Sequence, residues 1–183
     1  MAAPFRPLSA REFRAEALCF RWSRRIWRVD LHHAGHTAKA EYHGLPTIED
    51  ICRRHRDRLR LDDIAQHVSI APDGVVWTGR DWNRTPASVG NGMSGGAFMV
   101  EMIGNFDRGH DCLEGAQLEA TLSVIETIQC RFGLPVHALL FHREVPQTDF
   151  SCPGSGIEKR DMLMKLAARR PQDRHHDEVS AVA

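Results

Sequence analysis

The stretch Arg28 to His36, "RVDLHHAGH", alternates in a way only an extended backbone explains. With side chains pointing to opposite faces in turn, Trp27, Val29 and Leu31 share one face, and Arg28, Asp30 and His32 share the other. Ile26 to His32 therefore reads as a strand whose polar face ends in an imidazole. A second stretch, Phe141 to Gly156, "FHREVPQTDFSCPGSG", follows a short apolar strand over Ala138 to Phe141. It delivers His142 at the strand end and Cys152 ten residues later, in front of Pro153-Gly154. Two strands that each end in a metal-capable side chain raise the question of whether His32, His142 and Cys152 meet.

Working outward, Ser9-Ala-Arg-Glu12 fits a capping box, and Phe13, Ala17 and Phe20 follow at helical spacing, which predicts a helix over about residues 10–23. Thr47 is read as the cap of a second helix with Ile48, Ile51, Cys52, His55 and Leu59 as its buried stripe. The arginines at 53, 54, 56, 58 and 60 fall mostly outside that stripe and read as a solvated face rather than a nucleic-acid surface. "QHVSIAPDGVVWTGR", Gln66 to Arg80, predicts a hairpin turning at "APDG". "RTPASVGNGMSGG", Arg84 to Gly96, reads as an exposed loop able to touch a ligand. Ala97 to Ile103 is a further strand, Gly115 to Phe132 an amphipathic helix stopped by Gly133 and Pro135, and about residues 157–169 a last helix. Strands interleaved with helices, plus one hairpin, imply an α/β fold with a mixed central β-sheet flanked by helices. The chain divides into an N-terminal helical extension (1–28), a main domain (29–168) and a polar tail (169–183).

The 183 residues suit one principal domain, and 24 Lys and Arg balance 24 Asp and Glu, so net charge argues for neither nucleic acid nor a membrane surface. No apolar run approaches the roughly 20 residues a membrane helix needs. Charged residues interrupt the first twenty positions and leave no secretory apolar region, so the expected location is cytoplasmic as encoded. Export by phage lysis or a secretion system stays open. Five cysteines, an odd number at irregular spacing without a CxxC pair, read as reduced thiols.

Catalytic zinc takes three protein ligands from the His, Cys and carboxylate set and keeps a fourth position open, a requirement that strand-end His32, His142 and Cys152 suit. By spacing alone, ordinary histidines and a small buried thiol are the favoured reading. Glu101 is a second anomaly, an acid inside "GAFMVEMIGNF" where a central strand should be apolar. Burying it is costly unless a cation or hydrogen bonds receive it. Beside a metal it would be a general base; on an edge strand it would merely face solvent.

Six pieces, "LHHAGH", "DDIAQHVSIAPDGVVWTGR", "FMVEMIGNFD", the helix 115–132, "LLFHREV" and "SCPG", occur in the order found in one family. The chain resembles the zinc-dependent N-acetylmuramoyl-L-alanine amidases of the amidase-2 type, which share their fold with peptidoglycan recognition proteins. The resemblance implies a Zn2+ site on His32, His142 and Cys152, with His33 as the fallback should the strand shift by one. It implies Glu101 as general base and peptidoglycan or muropeptide as partner. Many members carry tyrosine where this chain has Gln66, and lysine or threonine where it has Phe150. The ten-residue His-to-Cys spacing and Glu101 resemble a branch that trims anhydro-muropeptides but uses aspartate as third ligand. Thr148, His67 or Gln66 is therefore expected to substitute in oxyanion stabilisation, His67 being read as the donor, and Arg80 and Asn91 are expected to contact peptide or sugar, Arg80 having an equal structural alternative. A binding module of the same fold, without cleavage, is the rival reading. Cys152 as a thiol nucleophile would need a histidine base and no metal. Oligomeric state is unknown.

Overall fold

The computed structural model describes residues 5–89, 94–145 and 151–170. Six strands form one mixed sheet: β1 (Pro7–Leu8), β2 (Arg28–His33), β3 (Val68–Ile70), β4 (Val76–Thr78), β5 (Ala97–Met102) and β6 (Leu139–Phe141). Their order is β1-β4-β3-β5-β2-β6. The run β3-β5-β2-β6 pairs in parallel, while β4 is antiparallel to both β3 and β1. Four helices pack on it: α1 (Ala10–Cys19), α2 (Leu45–Leu59), α3 (Gly115–Phe132) and α4 (Lys159–Arg169). The α/β class and the hairpin turn are as expected, with the Gly74 amide donating to Ala71 O to close "APDG".

Local chemistry sets the helix ends. Ser9 Oγ accepts from the Glu12 amide while Glu12 Oε2 accepts from the Ser9 amide, the reciprocal capping box expected for α1. That helix stops at Cys19, short of residue 23, because Phe20 turns to an extended conformation. Helix α2 begins two residues before its expected cap. Gly44 is the N-cap, Pro46 sits in the first turn where no backbone N–H is needed, and Thr47 Oγ1 accepts from the His43 amide instead. Ile48, Ile51, Cys52 and His55 are buried as the stripe required, whereas Leu59 is exposed. Gly133, in the left-handed region at φ 63°, ends α3.

Strand alternation separates two environments. Val29 and Leu31 of β2, Phe98, Val100 and Met102 of β5, and Leu139 and Phe141 of β6 join α1, α3 and α4 in the main core. The opposite face is only partly covered, α2 packing Ile48, Ile51 and Cys52 against Trp77 and Ile103 at the β4 side. Asp30 and His32 of β2 and Glu101 of β5 thus lie on a face that α2 leaves for polar groups. Trp27 departs from the expected apolar face: it precedes β2, lies over Gly96 and is largely exposed.

Residues before β2 are built into the core. Phe13, Phe20 and Trp22 ring Trp82, with Phe13 at 5.3 Å, Phe20 at 5.0 Å and Trp22 stacked at 5.7 Å between centroids. Trp22 also meets Phe132 of α3 edge-on at 5.0 Å. Aromatic groups in such a cluster dominate the apolar area a core removes from water. Phe13→Ala is expected to lower unfolding free energy by about 3–5 kcal/mol in denaturant titration, as for other fully buried aromatics; a loss below about 1 kcal/mol would show that α1 is peripheral to the cooperative unit.

Candidate metal centre

Register brings the first two groups together. In the β2–β5 ladder His32 stands opposite Glu101, and Glu101 also stands opposite Ser69 of β3. Residues directly opposite in a sheet share a face, so the imidazole and the carboxylate project side by side. His142 begins a short 3₁₀ turn where β6 ends. Arg143 then ties that turn to the Cys152 loop: its amide donates to Cys152 O at 2.8 Å, and its guanidinium donates to Ser151 O, Gly154 O and Ile157 O. Gly154, at φ 120°, is required there, since a Cβ would lie 2.5 Å from the Phe106 carbonyl.

The result is that one ligand atom from each of His32, His142 and Cys152 lies within 4.8 Å of the other two. The two imidazole centroids are 4.5 Å apart, and Cys152 Sγ lies 3.6 Å from His32 Nδ1. Zinc bonds of about 2.0–2.3 Å in tetrahedral array would set ligand atoms roughly 3.3–3.8 Å apart, so the donor set and spacing fit that ion. Burial holds both histidines below their ordinary pKa, favouring the neutral imidazole that a metal requires. Burial also pushes the Cys152 thiol up to about 12. Without a cation this sulfur is a thiol, the opposite of what a cysteine nucleophile needs; a cation would reverse the shift. His33, the fallback ligand, is not in the group, its Nδ1 accepting from the Phe106 amide.

Glu101 is buried on this face, and desolvation raises its pKa to about 7. Gln66 Nε2 donates to Glu101 Oε1 at 2.9 Å and to Ser69 Oγ at 2.8 Å, while Gln66 Oε1 has no hydrogen-bond partner among the described residues. The glutamine standing in the tyrosine position therefore orients the acid.

His67 is not brought to the cluster. It stacks on Phe98, a main-core residue, at 4.7 Å, its Nδ1 accepts from the Met99 amide and its Nε2 lies 2.9 Å from Arg84 O. Both ring nitrogens are engaged, so the expected oxyanion donor has no proton to offer. Arg80 takes its structural alternative: it is buried, with Nε donating to Ile64 O and the other nitrogens to Thr85 O, Asp63 O and Asp62. His55 Nδ1 accepts from the Ala65 amide, a packing role. Asn91 and Thr148 lie outside the described residues. Ser88, read as part of an exposed loop, is instead buried, with its Oγ 2.7 Å from His32 Nε2 and donating to Asp30 Oδ2 at 2.7 Å. Asp30 was findable, because alternation puts it on the His32 face; Ser88 carried no such signal.

The family model described as N-acetylmuramoyl-L-alanine amidase matches residues 22–155. Among solved structures, the chain is similar to bumblebee PGRP-SA at 27% identity and TM-score 0.61, covering 74% of this chain and 79% of that one. It is similar to the N-acetylmuramoyl-L-alanine amidase LysC from Clostridium intestinale at 21% identity and TM-score 0.65, covering 81% and 93%. A Drosophila PGRP-LB variant in complex with tracheal cytotoxin aligns at 23% identity and TM-score 0.64, covering 74% and 79%. No curated protein matches the chain.

The buried histidines away from the cluster fix the acid limit of the fold. His67 is depressed to about 3 and His55 to about 4, in both cases chiefly by burial. The unfolded chain takes up these protons near 6.5 and the folded one only far lower, so the stabilisation is complete above about 6.5 and is lost as pH falls toward 3. Unfolding free energy, read by denaturant titration, is expected to drop across that window, by as much as roughly 4 kcal/mol for His67 alone. A flat profile between pH 7 and 4 would contradict the burial of these rings.

Proposed function

The chain belongs to the N-acetylmuramoyl-L-alanine amidase family, amidase-2 type, and on that premise we propose that it hydrolyses the amide joining N-acetylmuramic acid to the first L-alanine of the stem peptide, using zinc. The observation that carries the reading is the meeting of His32, His142 and Cys152, from three remote segments, beside the buried acid Glu101. His32, His142 and Cys152 would hold the ion. Bound there, zinc would supply Lewis-acid polarisation of the scissile carbonyl and a lowered pKa for a water. The chain's own groups divide the remaining work. Glu101 takes the proton of the attacking water and returns it to the leaving amine nitrogen. Gln66 holds the Glu101 carboxylate by its Nε2 donor and keeps beside it a carbonyl oxygen unpaired among the described residues. Muropeptide or peptidoglycan is the substrate class, in keeping with the tracheal cytotoxin bound by one structural neighbour. All five cysteines are free, which fits work in a reducing compartment. Among the described residues no helix is long and apolar enough to cross a membrane.

Metal analysis of the purified protein should find about one zinc per chain, and removing it with a chelator should abolish release of stem peptide from muropeptides. Activity that survives complete metal removal would defeat the zinc reading. Glu101→Gln keeps shape and the Gln66 contact while removing the base, and is expected to lower kcat by about 10²- to 10⁴-fold with zinc retained. Wild-type protein that binds muropeptide tightly and releases no peptide at high enzyme concentration would instead identify a recognition module.

A further inference from the structure

We propose that Ser88 is a positioning residue for the metal centre: backed by Asp30 and Arg28, it accepts the Nε2 proton of His32 and so turns the Nδ1 lone pair toward the ion. The inference rests on the zinc reading above and extends it to residues beyond the ligands and the base. Hydrogen-bond direction follows from the buried end of the chain of contacts. Arg28 donates from Nε to Asp30 Oδ1 at 2.6 Å and from Nη2 to Oδ2 at 3.2 Å. An ionised carboxylate can only accept, so the 2.7 Å contact between Ser88 Oγ and Asp30 Oδ2 uses the single serine proton. Toward His32 the hydroxyl then has only a lone pair left. The 2.7 Å contact with His32 Nε2 therefore requires the proton to sit on Nε2. The other nitrogen, Nδ1, is the one 3.6 Å from Cys152 Sγ, on the cluster side.

The arrangement is rigid for reasons visible in its surroundings. Asp30 is fully buried, and Ser88 and His32 nearly so, which leaves water little chance to compete for these bonds. The next residue, Val89, is clasped by Ser94, whose Oγ accepts from the Val89 amide at 3.0 Å and donates to Val89 O at 2.6 Å. Ser88 thus reaches His32 from beside a residue held at both its N–H and its C=O. A partner that fixes the tautomer and ring orientation of a metal-bound histidine is typically worth 10- to 100-fold in metal affinity.

Two measurements test this independently of activity. In metal-free wild-type protein, nitrogen NMR of the imidazoles should show His32 protonated on Nε2. In zinc titrations against a competing chelator, Ser88→Ala should weaken affinity by about 10- to 100-fold, and Ser88→Thr, which keeps the hydroxyl, should restore most of it. A His32 proton on Nδ1, or unchanged zinc affinity in a folded Ser88→Ala protein, overturns the relay and leaves the zinc reading standing. Wild-type protein that takes up no zinc in the control titration overturns the zinc reading, and the inference with it.

Discussion

The parallel pairing of β2 with β5 is the constraint on which the rest depends. One register puts Val29 and Leu31 beside Phe98 and Val100 on the core face and, by the same alternation, sets His32 beside Glu101 on the other. A slip of one residue would break both relationships at once. Apolar burial, the dominant favourable contribution to folding, therefore also enforces the spacing of the reactive groups.

The other two members of the cluster come from less regular structure and need different support. His142 starts a turn and Cys152 sits in a loop, and neither position is fixed by a ladder of strand hydrogen bonds. Arg143 supplies that support by donating to three carbonyls of the following loop while its own amide holds Cys152 O. Burial then acts on all the groups in one sense, disfavouring charge on His32, Cys152 and Glu101. Two neutral imidazoles and two buried acids reluctant to ionise would be relieved by a single divalent cation, which would favour the anionic forms of the acids.

Much of this was legible in the chain because it follows from period-two alternation and from turn chemistry. The β2 faces and the "APDG" corner came from such local rules, whereas the grouping of His32, His142 and Cys152 as a metal set came from the family resemblance. The errors came where the acting partner was remote or where a local rule stopped short. His67 next to Gln66 looked like a site residue, yet neighbours on extended backbone face opposite ways, and His67 goes to Phe98 while Gln66 goes to Glu101. Besides Asp62, the acceptors of Arg80 are backbone carbonyls, which residue identity does not advertise. Ser88 looked like loop solvent because a serine reveals nothing of what will cover it. The aromatic ring around Trp82 draws on positions 13 to 132 and has no sequence-local signature.

That ring also changes how the boundaries of the protein should be drawn. The family match runs from residue 22 to 155, yet Phe13 and Phe20 precede it and Met162 and Leu166 of α4 follow it, all packed in or against the main core. A fragment trimmed to the matched span would keep His32, His142 and Cys152 and lose the rings that Phe13 and Phe20 set against Trp82 and Phe98. Such a piece would present a greasy, strand-bearing flank to its neighbours and be prone to clump. Homology limits and physical limits of this molecule are different things, and fusion partners or tags belong outside the latter.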